Sequence, residues 1–319
     1  MLILRQTISL YHTMKKILLP VVGVVCLLTT SCSSDCDEAD TSVSASVARR
    51  VMPAVTDAGI STYADKPHMA FFDISAASQN KLVVYLPDFG RLPLETADFG
   101  EYAASQGYHV VSLRYLNDVS FIQSASVSAD VDAFEKARTE LLTGEDVSSL
   151  LSVSITESMY NRLLKLIRYL DGKYPGEGWG QYLNGNTPDF SKLILCGSGQ
   201  GAVNAAMFAK QHRVDKVVCF SIAEDKLQDN SIAPWMRTTA WATMSADVIG
   251  VALPENGATQ QELWDFMQLH GEVAHIDEDA GVVRANKYVF NEPVPVLVYD
   301  HSHDVVVERD VLWQNVLTD

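Results

Sequence analysis

Apolar runs of five to seven residues alternate along the chain with longer amphipathic stretches. The runs predict buried strands, because they are too short for helices and are bounded by glycine, proline or polar residues. A strand–helix–strand alternation is typical of a parallel sheet. The predicted strands are Met69–Ile74, Lys81–Leu86, His109–Tyr115, Lys192–Cys196, Lys216–Ile222, Trp241–Ser245 and Val294–Tyr299. The predicted helices are Thr96–Gln106, Asp130–Leu142, Ala202–Lys210 and Val305–Leu317, together with one that a Ser154-x-x-Glu157 capping box opens and that Gly172 and Pro175 end.

Two segments interrupt this alternation, Asn117–Val153 and Val248–Glu292, and both predict mixed helix and loop. The whole pattern therefore predicts the α/β class. We expect a mostly parallel central sheet with helices on both faces and lid-like insertions.

The first residues carry an export signal. Met14-Lys15-Lys16 is a charged start and Ile17–Thr30 is an apolar segment, too interrupted for a membrane span of about 20 residues. Met14 is itself a candidate start. We predict a signal peptide at 1–31, a lipidated cysteine with an acidic, serine-rich linker at 32–47, and a folded domain at 48–319.

The end of this signal resembles a bacterial lipobox. Leu28-Thr29-Thr30-Ser31 precedes Cys32, which becomes the lipidated residue in such a motif, although Thr29 stands where an aliphatic residue is usual. The following Ser33–Asp40 is acidic and resembles the export tag of surface lipoproteins in Bacteroidetes-like bacteria. These features predict an outer-membrane lipoprotein, exposed at the surface if the tag is read, whose only membrane contact is its lipid.

Charge limits the range of partners. The net charge of −16 argues against nucleic acid and anionic lipid surfaces, which both require a basic face. No motif predicts a cofactor.

The most informative stretch is Gly197-Ser198-Gly199-Gln200-Gly201, between the predicted strand Lys192–Cys196 and the helix that follows. This is the strand–turn–helix context of a nucleophile elbow, G-x-Ser-x-G, which needs small residues two before and two after the nucleophile. The glycine frame puts Gly199 at the centre. A frame centred on Ser198 would require a small residue where Gln200 stands, so the glycine frame fits better.

At this point a family resemblance is visible. The elbow resembles that of secreted bacterial α/β-hydrolases that read G-H-S-Q-G-A, with serine in the histidine position and glycine in the serine position. The resemblance implies the α/β-hydrolase fold, a Ser…Asp…His order, and ester or amide hydrolysis as the ancestral chemistry. Further matching segments are Gln106–Val111, Tyr115–Asp118, Glu140–Glu145, Ser158–Leu170, Gly178–Tyr182 and Pro188–Lys192.

A triad also needs a base and an acid. We predict His301 as the base, with His303 as the second choice, because both follow the last predicted strand. Asp247 follows the strand before it and is the predicted acid. Gly199, however, has no oxygen to activate, which leaves Ser198 as the alternative nucleophile. The His301-x-His303 spacing could also hold a metal, but no further ligand cluster supports that reading.

The predicted oxyanion region departs from the family pattern as well. It comprises Asp88 and Phe89, in the turn after the strand Lys81–Leu86, together with Gln200 beside the elbow. Asp88 would bring negative charge to the site where an oxyanion forms, which Coulomb repulsion disfavours, and Phe89 would fill space.

We therefore expect an extracytoplasmic protein that has lost serine hydrolysis and binds a small molecule, glycan or peptide. The alternative is a carboxylic-ester hydrolase using Ser198, His301 and Asp247, and a surface adhesin or complex subunit is a third class.

Overall fold

A computed structural model describes residues 46–252, 256–276, 284–290 and 313–317. Nine of the strands in these residues form one sheet, and β5 and β6 form a separate hairpin. The strands are β1 (Ser46–Val51), β2 (His68–Asp73), β3 (Leu82–Leu86), β4 (His109–Ser112), β5 (Leu183–Asn184), β6 (Thr187–Pro188), β7 (Leu193–Ser198), β8 (Lys216–Phe220), β9 (Val248–Ala252), β10 (Val273–Ile276) and β11 (Lys287–Phe290).

The strand order across the large sheet is β1-β2-β4-β3-β7-β8-β9-β11-β10. The pairs β1–β2 and β2–β4 are antiparallel, and all pairs from β4 to β10 are parallel. From β3 the chain first adds β4 on one side and later adds β7 on the other. Because the order reverses between β3 and β7, a crevice opens at their carboxyl ends, where ligands bind in open α/β sheets.

Helices cover both faces of this sheet. They are α1 (Pro53–Thr56), α2 (Ala97–Ser105), α3 (Ile122–Ser126), α4 (Ala133–Thr143), α5 (Met159–Lys173), α6 (Gln200–Gln211), α7 (Gly257–Met267) and a short helix at 313–317. One apolar cluster joins one sheet face to α4–α7, and a second joins the other face to α2 and the helix at 313–317. Side chains of β3 alternate between these clusters, as a strand covered on both faces requires.

This architecture confirms the predicted fold class, a mostly parallel sheet with helices on both faces. No helix in the described ranges is long and apolar enough to cross a membrane. The first strand begins at Ser46, two residues before the predicted start of the folded domain. The predicted strand Val294–Tyr299 lies outside the described residues.

The predicted strand Trp241–Ser245 is wrong. The backbone N–H groups of Ala242 and Thr243 donate to the carbonyls of Lys210 and Ala209, which belong to the last turn of α6. The segment therefore satisfies helix-end carbonyls that lack partners within the helix. The next strand of the sheet is β9, in the region that the sequence predicted as mixed helix and loop.

The capping prediction at Ser154 also needs correction. Ser154 precedes a single 3₁₀ turn, Ile155–Glu157, and α5 begins one turn later. Its N-cap is Ser158, whose hydroxyl accepts a hydrogen bond from the Asn161 N–H at 3.1 Å.

Candidate functional site

Gly199 forms the apex of the sharp turn between β7 and α6. Its backbone angles, φ 50° and ψ −116°, lie outside the regions that residues with a side chain normally occupy. The flanking glycines are also required by space. A Cβ on Gly197 would lie 2.4 Å from the carbonyl carbon of Gly201, and a Cβ on Gly201 would lie 2.0 Å from the Leu86 carbonyl oxygen. This is the spacing of a nucleophile elbow with Gly199 at its centre.

The carboxylate of Asp88 lies over Gly199. A Cβ added to Gly199 would be 2.4 Å from each Asp88 carboxylate oxygen and 2.5 Å from its Cγ. Asp88 comes from the turn after β3, and Gly199 follows the neighbouring strand β7. The side chain of one strand end thus occupies the space in which a nucleophile on the other would begin.

Two backbone amides hold this carboxylate. The N–H groups of Phe89 and Gln200 both donate to Asp88 Oδ1, each at 2.7 Å. Donors that stabilise an oxyanion converge on one oxygen at about 2.7–3.1 Å. One of these amides follows the elbow residue and the other lies in the turn after β3, as in a hydrolase oxyanion hole. The two amides therefore have the placement of such a donor pair, and both are bound by the chain's own Asp88.

The start of α6 adds a further attraction. Gln200 is the first residue of α6, so the carboxylate lies at the positive end of a helix of 12 residues. Phe89, which the sequence predicted to fill the site, is instead 48% exposed at its rim.

Two side chains fix the turn that carries Asp88. The hydroxyl of Tyr115 donates to the Pro87 carbonyl at 2.7 Å. The amide nitrogen of Asn117 donates to the Asp88 carbonyl at 2.6 Å and to the Arg91 carbonyl at 2.7 Å. Burial raises the pKa of the Tyr115 phenol. The phenol therefore stays protonated and remains a donor.

A buried ion pair fixes the other side of the site. The Arg138 Nε donates to Asp225 Oδ2 at 2.7 Å, and both side chains are almost completely buried. The same guanidinium donates to Asn204 Oδ1 at 2.9 Å and to Gln200 Oε1 at 2.7 Å. Because Asn204 and Gln200 both belong to α6, Arg138 orients the first turns of the elbow helix and with them the Gln200 N–H.

Little space remains on this side of the elbow. The residues between the Asp88 turn and α4 line a half-open cavity of about 10 Å³, including Phe89, Tyr115, Arg138 and Gln200. A single water requires about that volume. Among the described residues no cluster of His, Cys, Asp and Glu side chains is able to hold a metal ion.

Ser198 lies beside the apex, as the last residue of β7. Alternation along the strand directs its side chain to the same sheet face as Cys196 and Ile194, whose cluster includes Tyr85. Burial raises the pKa of the Tyr85 phenol well above its ordinary value. Tyr85 is therefore not a base for the Ser198 hydroxyl.

The position predicted for Asp247 is wrong. Asp247 precedes β9 instead of following a strand, since β9 runs from Val248 to Ala252. The register pairs Val248 with Val217, at the beginning of β8, so Asp247 lies at the amino edge of the sheet. Gly199 lies at the carboxyl edge. Asp247 instead faces Arg213, with 3.7 Å between the charged atoms.

The other predicted site residues, His301, His303 and Cys32, lie outside the described residues, so their roles remain predictions. Sequence reasoning missed Tyr115, Asn117, Arg138, Asn204 and Asp225, which support the site without belonging to an elbow motif. Tyr115 and Asn117 fall in a segment that resembles the hydrolase family, which was the available signal.

Comparisons with known proteins extend this description. No protein-family model and no curated protein matches the chain by sequence. Similar solved structures include esterase B from Lactobacillus rhamnosis with a tributyrin phosphonate, at 11% identity and a TM-score of 0.41, covering 83% of both chains. Esterase 2 from Thermogutta terrifontis, phosphonylated by cyclosarin, has 9% identity and a TM-score of 0.45, covering 83% of this chain and 90% of its own.

The strand order, the antiparallel β2 and the glycine elbow after β7 carry the assignment of the fold. The chain has the α/β-hydrolase fold, with glycine at the apex of its elbow.

Proposed function

We propose that this protein is an extracytoplasmic α/β-hydrolase-fold lipoprotein that binds a ligand and does not cleave it by serine chemistry. One observation carries the proposal. The Asp88 carboxylate lies over Gly199 and accepts hydrogen bonds from the N–H groups of Phe89 and Gln200, the two amides in the position of an oxyanion hole. A single side chain thus fills the position of the nucleophile and the position of the substrate oxygen.

Acyl transfer requires two things that this arrangement withholds. It needs an oxygen or sulfur nucleophile, and Gly199 has neither. It also needs free donors for the oxygen that becomes negative, worth about 2.7–4 kcal/mol for one donor. Here a substrate carbonyl would have to displace a carboxylate from both amides and then develop its own charge beside that carboxylate. Each requirement opposes hydrolysis independently.

The competing function is a carboxylic-ester hydrolase in which Ser198 is the nucleophile and His301 the base. Its first difficulty is direction, since the Ser198 side chain belongs to the sheet face that also carries Cys196. The second difficulty is that Asp88 occupies the two amide donors. Moving the nucleophile by one residue does not free these N–H groups from the Asp88 carboxylate.

A fluorophosphonate probe tests the proposal, because it reacts with activated serines and leaves a mass that peptide mapping locates. We expect no labelling of the wild type and none of Ser198→Ala. Gly199→Ser alone adds a Cβ 2.4 Å from the Asp88 oxygens, so we expect little labelling of that variant either. Asp88→Ala/Gly199→Ser frees the hole and supplies the oxygen. Its labelling would indicate that a competent base persists, whereas labelling of wild-type Ser198 would contradict the proposal.

The location is proposed from the N-terminal sequence, with its charged start, apolar segment and cysteine at position 32. Metabolic labelling with an alkyne-bearing fatty acid tests it in the native host or a related bacterium. We expect label on the wild type and none on Cys32→Ala, with Cys36→Ala as the matched control. Equal labelling of all three proteins would contradict lipidation at Cys32.

A further inference from the structure

The filled oxyanion hole changes which ligands the elbow accepts. In a hydrolase the two amides attract an oxygen that carries negative charge. Here both amides are bound by Asp88 Oδ1, so their capacity to donate is used within the chain. An ester carbonyl, carboxylate or phosphate arriving at the elbow meets a carboxylate in place of free donors.

The second oxygen of Asp88 remains unpaired in the described part of the chain. Oδ2 accepts no hydrogen bond there, and Asp88 forms no ion pair. The side chain is half-buried between the exposed Phe89 and the elbow. Since a carboxylate oxygen only accepts, Oδ2 is available to a donor that the described residues do not supply.

Within the described ranges no cation forms an ion pair with this carboxylate. The Arg138 guanidinium is paired with Asp225 and further bound by Gln200 and Asn204. Arg114 donates to Asn117 Oδ1 at 2.6 Å and stacks over the Tyr63 ring. The protein as a whole carries a net charge of −16, which attracts cations to its clefts.

Phe89 supplies a second feature that favours a cation. Its ring is 48% exposed, and it belongs to the residue next to Asp88 in the chain. An ammonium group is attracted both to a carboxylate and to the face of an aromatic ring.

From these observations we infer that the elbow binds a cationic amine, whose ammonium group donates to Asp88 Oδ2 beside the Phe89 ring. The inference rests on the proposed binding function and specifies its ligand class. The substitution of the nucleophile by glycine and the entry of Asp88 thus convert a site for a negative oxygen into a site for a positive nitrogen.

Three probes of one size test the inference on the full-length protein in detergent at 150 mM salt: n-butylammonium, n-butyrate and 1-butanol. Ligand-observed NMR titration gives each Kd. We expect n-butylammonium to bind at least about tenfold more tightly than the other two, the difference made by one charged hydrogen bond. Equal binding of the three probes, or no binding of the amine up to 50 mM, would overturn the inference.

The Asp88→Asn variant tests the role of Oδ2 alone. Its side-chain amide oxygen accepts hydrogen bonds from the same two backbone N–H groups, while an NH₂ group replaces Oδ2. We expect the amine to bind about tenfold more weakly and butyrate to bind more tightly than to the wild type. Asp118→Asn is the matched control, since it removes one exposed carboxylate charge from the same edge. An equal loss in both variants would indicate general attraction to an acidic protein and would overturn the site.

Phe89→Leu provides a test that does not alter Asp88. It keeps an apolar side chain and the backbone N–H but removes the ring, so we expect amine binding to weaken about two- to fivefold and butanol binding to stay unchanged. Unchanged amine binding would refute the aromatic contact. Fluorophosphonate labelling of the wild type would defeat the proposed function, whereas absent amine preference without labelling defeats only this inference.

Discussion

Substitution of Gly199 by alanine tests directly whether the Asp88 carboxylate lies where a nucleophile would begin. The new Cβ would be 2.4 Å from both carboxylate oxygens, so Asp88 must leave its two amides. A non-glycine residue in this backbone conformation adds strain of about 1–3 kcal/mol. The displaced carboxylate loses two charge-assisted hydrogen bonds of roughly 1.5–3 kcal/mol each, which we reduce to about 2–3 kcal/mol together because the site is partly hydrated.

These magnitudes predict that the two substitutions are not additive. Gly199→Ala should cost about 3–6 kcal/mol, the sum of strain and lost bonds. Asp88→Ala should cost about 2–3 kcal/mol, the lost bonds alone. In the double variant the bonds are lost only once, so its cost should fall about 2–3 kcal/mol short of the sum.

Urea denaturation of the four proteins, followed by tryptophan fluorescence, gives the free energy of unfolding for this cycle. A matched cycle with Asp118→Ala in place of Asp88→Ala controls for general charge effects at the same edge of the sheet. Additivity of Asp88→Ala and Gly199→Ala within about 0.5 kcal/mol would refute the contact on which the proposed function rests.

Three further outcomes follow from buried groups. Arg138→Met should destabilise the protein by about 3–5 kcal/mol, because Asp225 would remain buried without its partner, and Arg138→Met/Asp225→Leu should recover part of that loss in urea denaturation. Burial and two nearby arginines lower the pKa of His68 to about 3. As pH falls from about 6.5 towards 3, the unfolded wild type binds a proton on His68 that the folded wild type excludes. The free energy of unfolding of the wild type, relative to that of His68→Gln, should therefore fall by about 1.4 kcal/mol for each pH unit. A flat difference would contradict the burial of a neutral imidazole. Ser198→Ala should leave ligand binding unchanged in the same NMR titration, and a large loss would implicate its hydroxyl in the site.

Features that depend on near neighbours in the chain are readable from the amino-acid sequence. Glycines at positions 197, 199 and 201 between an apolar run and a small-residue helix predict the elbow, because such a turn needs small residues at fixed positions within five residues. The alternation of apolar runs with amphipathic stretches likewise predicted the parallel α/β class, since strand and helix periods are local properties.

The register of the sheet was not readable in this way. The apolar run Trp241–Ser245 predicts a strand, but Ala242 and Thr243 bind carbonyls at the end of α6. Asp247 therefore lies at the amino edge of the sheet and not at the predicted carboxyl edge. Whether a short apolar run joins a sheet depends on partners from distant parts of the chain, which its own composition does not specify.

The contacts of Asp88 depend on the three-dimensional arrangement of the strands. The sequence predicts only that a carboxylate in the turn after β3 would oppose an oxyanion; it does not predict what holds that carboxylate in place. Asp88 and Gln200 are 112 residues apart, and their contact exists because β3 and β7 are adjacent and parallel. Two amides and a helix N-terminus stabilise the carboxylate there, in space that is free only because residue 199 has no side chain.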